Sequence, residues 1–286
     1  LPTAHCLLRY NPPMPFPDRR QMSTVTAVIL LAFALNRALV LPAREVVFSV
    51  FGSIFRLQMT GDFLILLLAA GLVATGSDAV LRAHPRLEER ELGATALHWI
   101  LPGLGAIGLG AALHLLPIGP LWWAGLAASA LLLLLVLFAE FVTLDVLDPR
   151  YDAAALGLSV LAYALLALIA GLVRGADVRS TLIAPPAGLA AGLLALRLFT
   201  LERIPSRWTW PFAAVLAVLT AESLWALRHW PVGRIGAGLL LLGPGYFWIG
   251  VARAFLQGRL TRAVVLEFAL VGGIGLATGA IVALAR

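Results

Sequence analysis

The stretch Leu121–Asp152, LWWAGLAASALLLLLVLFAEFVTLDVLDPRYD, decides the fold. Leu131 to Phe138 is unbroken hydrocarbon, and the apolar run over 121–146 exceeds the ~20 residues that carry a helix across ~30 Å of bilayer core. Glu140, Asp145, Asp148 and Asp152 then follow in close succession. A helix of lipid length that ends among carboxylates places the chain in a membrane and marks one level of it for polar chemistry.

Composition agrees. Of 286 residues 61% are hydrophobic and 13% charged, with a mean hydropathy of +0.95, which is more apolar surface than one water-soluble core can hide. The net charge of +6 would suggest nucleic acid in a soluble chain, but the basic residues sit between apolar runs rather than in a stripe, so no nucleic-acid partner is expected. All 21 basic residues are arginine, which excludes a lysine Schiff base and a P-loop lysine. One cysteine, Cys6, leaves no intrachain disulfide and no cysteine-based zinc site.

Further runs of spanning length lie over 25–41, 62–81, 94–116, 153–173, 181–201, 209–228, 232–256 and 263–285. The expected fold is all-α, a polytopic transmembrane bundle of about nine spans, eight being possible. Residues 1–21, rich in proline, read as a disordered tail ahead of one membrane domain over 22–286. With the N-terminus cytoplasmic, the arginines of the connecting segments divide twelve inside to seven outside, which favours that threading in a cell's inner (cytoplasmic) membrane. Segment 44–60 differs in kind. Two alternating apolar stretches flank Gly52-Ser53, and a hairpin pairing Phe51 with Ile54 puts Val46, Phe48, Val50, Phe55, Leu57 and Met59 on one face. The other reading of 44–60 is an interfacial segment lying along the membrane surface.

Small residues and prolines shape the bundle. Gly171/Gly175, Gly188/Gly192 and Gly275/Gly279 have the spacing that lets helix backbones approach closely. Pro102-Gly103, Pro185-Pro186 and Gly243-Pro244-Gly245 are expected to kink or interrupt their helices.

Charges inside spans are costly unless paired or hydrated, so they mark candidate sites. Glu222 lies within its span, with Arg37 at comparable depth on the first. Glu267 and Arg253 lie near the inner ends of consecutive helices, and Glu140 and Arg197 share that level on others. These six read either as structural ion pairs or, through Glu222, as a proton or ion pathway.

Asp145, Asp148 and Asp152 form DxxDxxxD, three carboxylates able to hold Mg²⁺ against a diphosphate. The pattern resembles the aspartate motif of the membrane prenyltransferases, which would imply an enzyme acting on a lipid or prenyl diphosphate. Leu144 stands where that family has asparagine, Pro149 interrupts the run, and the second acidic loop is missing. Asp148-Pro149 also reads as a helix N-cap with proline at the first position. His114 and His229 lie at similar depth on the N-in threading and would ligate a b-type haem, making a redox subunit.

The Gly-Ser hairpin, Glu140 with the Asp145, Asp148-Pro149 and Tyr151 run, and Leu-Leu-Gly-Pro-Gly-Tyr at 241–246 together resemble an uncharacterised family of bacterial polytopic membrane proteins over most of 22–286. The resemblance implies an integral membrane protein and carries no catalytic residue. The reading that follows is a non-enzymatic protein, transporter-like, binding or complex-forming, whose partners are the bilayer and other membrane subunits. No cofactor is expected, Mg²⁺ entering only with the diphosphate alternative.

Overall fold

The computed structural model describes residues 16–39, 42, 44–50, 53–59, 61–84, 95–176, 178–202 and 207–284. Among them nine helices are long and apolar enough to cross a membrane, nine rather than eight.

The first helix, α1 (Arg19–Ala38), starts ahead of the expected 25. Asp18 caps it by accepting a hydrogen bond from the backbone N–H of Arg20 at 2.9 Å, satisfying one of the donors that a helix start leaves without a partner. Thr26, Ile29, Phe33 and Asn36 are its buried stripe, at helical spacing. Residues 1–15 of the expected tail lie outside the described residues.

Strands β1 (Arg44–Val50) and β2 (Ser53–Met59) pair antiparallel, so 44–60 contains the expected hairpin. The register differs from the expected one. Ile54 pairs with Ser49, and Val50 pairs with Ser53, so Ser53 belongs to β2 rather than to the turn. The offset is an even number of residues, which leaves the alternation between faces unchanged. Phe51 and Gly52 lie outside the described residues. Glu45, Val47 and Ser49 are exposed.

The remaining helices are α2 (Gly61–Arg82), α3 (Ile100–His114) preceded by a 3-10 turn at Ala96–Trp99, α4 (Pro120–Val142), α5 (Tyr151–Gly175), α6 (Ser180–Leu201), α7 (Thr209–Arg228), α8 (Arg234–Leu256) and α9 (Arg262–Leu284). Proline interrupts none of them. Pro102 falls in the first turn of α3, where its missing N–H has no intrahelical partner to lose. Pro185, Pro186 and Pro244 lie inside helices that continue past them.

Two larger cores, with two smaller clusters beside them, hold the bundle. Ile29, Phe33, Leu66, Val73, Ala106 and Leu133 join α1 to α4. Leu101, Leu158, Leu165, Leu194, Leu198 and Phe199 belong to the larger core of α3 to α8, with α6 its most enclosed helix. The glycine pairs serve packing. A Cβ on Gly192 would lie 2.9 Å from the Ala213 carbonyl oxygen, so α6 and α7 pack backbone against backbone there. One on Gly243 would lie 2.8 Å from the Leu276 nitrogen, and one on Gly275 would lie 3.1 Å from the Gly243 Cα, so α8 and α9 share a glycine seam.

Helices α3, α5, α7 and α9 begin at the end of the bundle where α2, α4, α6 and α8 finish. Glu140, Asp145, Asp148, Asp152, Glu202 and Glu267 all belong to that carboxylate end. At the opposite end lie Arg174, Arg228 and Arg234, which donate to backbone carbonyls there.

Candidate functional site

Glu140 is the most deeply enclosed charged group of the described residues, fully buried in the last turn of α4. Its Oε1 accepts from Arg197 Nε at 3.2 Å, and its Oε2 accepts from Arg197 Nη2. His98 Nδ1, in the 3-10 turn before α3, lies 2.8 Å from the same Oε2. Arg197 also donates to the hydroxyls of Thr143 at 3.1 Å and Thr200 at 3.2 Å. Arg197 sits among buried Leu196, Leu198 and Phe199 on α6, so the guanidinium has no route to water and must find its carboxylate in the bundle. The fork geometry uses both carboxylate oxygens at once. The cluster is saturated, and it ties α3, α4 and α6 together. Sequence depth alone had placed Glu140 and Arg197 at one level. His98 and the threonines were missed, because a histidine at a helix start reads as an interfacial residue.

A second polar group opens outward at the same end. Arg253 Nη2 on α8 pairs with Glu202 Oε1, just past α6, at 2.6 Å. Gln257 Nε2 donates to the other Glu202 oxygen at 2.7 Å. This pair forms the common wall of two cavities. One, about 330 Å³, is lined by Glu202, Arg253, Gln257, Arg259 and Glu267 with Phe268 of α9. The other, about 480 Å³, is lined by Tyr151, Asp152, Ser159, Glu202 and Arg253. Glu267 and Arg253 therefore meet at one cavity, as their shared level suggested, but Arg253 takes Glu202 as its ion-pair partner. Tyr151 Oη donates to the Leu201 carbonyl at 2.7 Å and fixes the end of α6 beside that wall. Glu202 and Gln257 were missed, because each lies one residue past a helix end and reads as a loop polar group.

The 145–152 run folds on itself. Asp145 Oδ1 accepts from the Leu147 N–H at 2.8 Å, and Asp148 Oδ1 from the Arg150 N–H at 2.8 Å. Arg150 Nη2 lies 2.7 Å from Asp148 Oδ2. Hydrogen bonds from the Arg150 side chain hold the Asp148 carboxyl below its ordinary range, and the same contact raises Arg150. Asp148 is thus not the N-cap of α5, which starts at Tyr151, two residues after Pro149. Asp152 turns to the open cavity instead. The three aspartates expected to hold Mg²⁺ are not gathered: among the described residues no group of three or more His, Cys, Asp or Glu side chains is placed to hold a metal ion.

At the opposite end the arginines meet backbone. Arg228 Nη1, at the end of α7, donates to the Val173 and Ala176 carbonyls at 3.0 and 2.6 Å. Arg174, at the end of α5, donates to the Trp230 carbonyl beyond α7 at 3.3 Å. Each helix thereby carries a cation over the negative end of the other. Arg37 Nη2 donates to the Leu116 carbonyl at 3.4 Å, while Glu222 is exposed on α7, so the two are not paired. His114 Nε2 lies 3.5 Å from Asp62, and His229 meets Trp225 edge to face with the ring centres 5.1 Å apart. The two histidines expected to share a haem are engaged by different neighbours.

A family profile described as a protein of unknown function (DUF5656) matches residues 41–282, from just after α1 into α9. No curated protein and no solved structure matches the chain.

Proposed function

We propose, for a chain that belongs to this family of unknown function, that it is a non-enzymatic integral membrane protein that binds a small polar solute at one membrane face. The observation that carries the reading is the Glu202–Arg253 pair standing between two open cavities. Both signs of charge line each cavity, so the fitting solute is zwitterionic or rich in hydrogen-bonding groups, with an anionic group for Arg253 and a cationic one for Glu202. The arginine distribution supports a threading with the N-terminus cytoplasmic, in a bacterial inner membrane, which turns the cavities to the cytoplasm. Binding at one face is also the first half of a transport cycle, and this keeps the transporter-like reading.

The test is thermal unfolding of the purified protein in detergent against a panel of amino acids, diamines and sugar phosphates. A zwitterionic member should raise the transition, since a ligand at 100 times its Kd stabilises by about 2.7 kcal/mol. Arg253→Gln should remove that gain. If no compound stabilises the protein, or the gain survives Arg253→Gln, the reading fails.

A further inference from the structure

Glu222 is the only carboxylate of α7. It lies about 9 Å from the level of Arg228 and about 20 Å from that of Thr209, at 1.5 Å per residue. It is exposed on the outer surface of the bundle, and among the described residues no side chain hydrogen-bonds or pairs with it. A carboxylate on the outer face of a spanning helix is held there at a cost, and such groups normally face a partner or a cavity.

Its surroundings supply a seat for one. Val215, Leu219 and Glu222 fall on one face of α7 at helical spacing. Val215 and Leu219, with Phe212, form one side of an apolar groove of about 170 Å³, and Trp248, Val251 and Phe255 of α8 form the other. Val218, Trp225, Trp248 and Phe255 are each about half exposed. Glu222 is not itself a lining residue, but it follows Leu219 of the groove by about one helical turn on the same face of α7.

We infer that this face of α7 and α8 docks a transmembrane helix of a different protein, one that carries a basic side chain at the depth of Glu222. Charge complementarity selects the partner. A second copy fits less well, because a parallel copy would have to offer its own basic side chain at the level of Glu222. Nor do the described residues of this chain offer a free cation at that depth. Arg37, Arg174, Arg228 and Arg234 are engaged by backbone carbonyls, and Arg197 and Arg253 by carboxylates at the other end.

The experiment uses a fluorescent leucine-based transmembrane peptide with one arginine about 9 Å from its end, and an all-leucine control. Binding is read by anisotropy in nanodiscs holding one copy of the full chain. The arginine peptide should bind wild type about tenfold more tightly than it binds Glu222→Gln, and about tenfold more tightly than the control binds. Val215→Trp, which fills the groove, should weaken the arginine peptide without lowering the melting temperature. Equal binding to wild type and Glu222→Gln would overturn the inference. So would a Glu222-dependent dimer of the chain without peptide, which would assign the face to a second copy, or binding of neither peptide, which would leave the groove to lipid.

Discussion

Arg197 reaches across 57 residues of sequence to set two guanidinium nitrogens on the two oxygens of Glu140. Neither group has water to fall back on, with side chains 3% and 0% exposed. Removing one partner therefore leaves a buried charge. Glu140→Leu or Arg197→Met alone should each cost about 3–5 kcal/mol, and the double variant should recover most of the loss. Thermal unfolding of the three variants in one detergent checks this, and strict additivity would refute it.

The glycine seam makes a contrasting pair. Gly243→Val should cost about 1–3 kcal/mol and loosen α9, because its Cβ meets backbone atoms of that helix. Gly273→Ala, on the same α9 but with nothing within 4 Å of its added Cβ, should be neutral or stabilise by up to about 1 kcal/mol. Cysteine cross-linking between α8 and α9, with unfolding midpoints, separates the two outcomes.

Tyr151→Phe should cost about 0.5–1.5 kcal/mol, since the Leu201 carbonyl loses its donor. Because Glu202 follows that carbonyl, ligand affinity at the adjoining cavity should fall as well. A variant with lowered stability but wild-type affinity would separate the tyrosine from the cavity wall.

Acid should loosen the turn between α4 and α5. The Asp148 carboxyl is lowered in the fold by Arg150, so its stabilisation is complete above the ordinary aspartate range and is lost as pH falls through that range to the lowered native value. The expected size is about 1 kcal/mol or less. Asp148→Asn should flatten this part of the pH dependence, which limited proteolysis of the turn between pH 3 and 7 would read.

What the sequence made legible were features set by one helix at a time. Span positions follow from apolar length, and the Gly188/Gly192 and Gly275/Gly279 contacts from spacing. Glu140 and Arg197 could be matched because depth in a membrane is nearly a coordinate. Glu202 and Arg253 could not, since Glu202 lies outside its helix and its partner is chosen by the angle between α6 and α8. The aspartate run misled for a local reason. DxxDxxxD implies convergence only on a continuous helix, and the chain turns at 143–150, so Asp145 and Asp148 bind their own backbone. The hairpin was right in face and wrong in register, because alternation fixes parity while the turn fixes the pairing.

The crossed caps of Arg174 and Arg228 have an asymmetric consequence for how the bundle comes apart. A peptide carbonyl takes up no proton in the range where carboxylates do, so the join between α5 and α7, made of arginine side chains on carbonyls, offers acid no group to neutralise. The far side holds a contact that acid does weaken, the Asp148–Arg150 pair. Acid should loosen this protein first at one end of the bundle, like a fan spreading from its rivet, and the rivet is a pair of arginines.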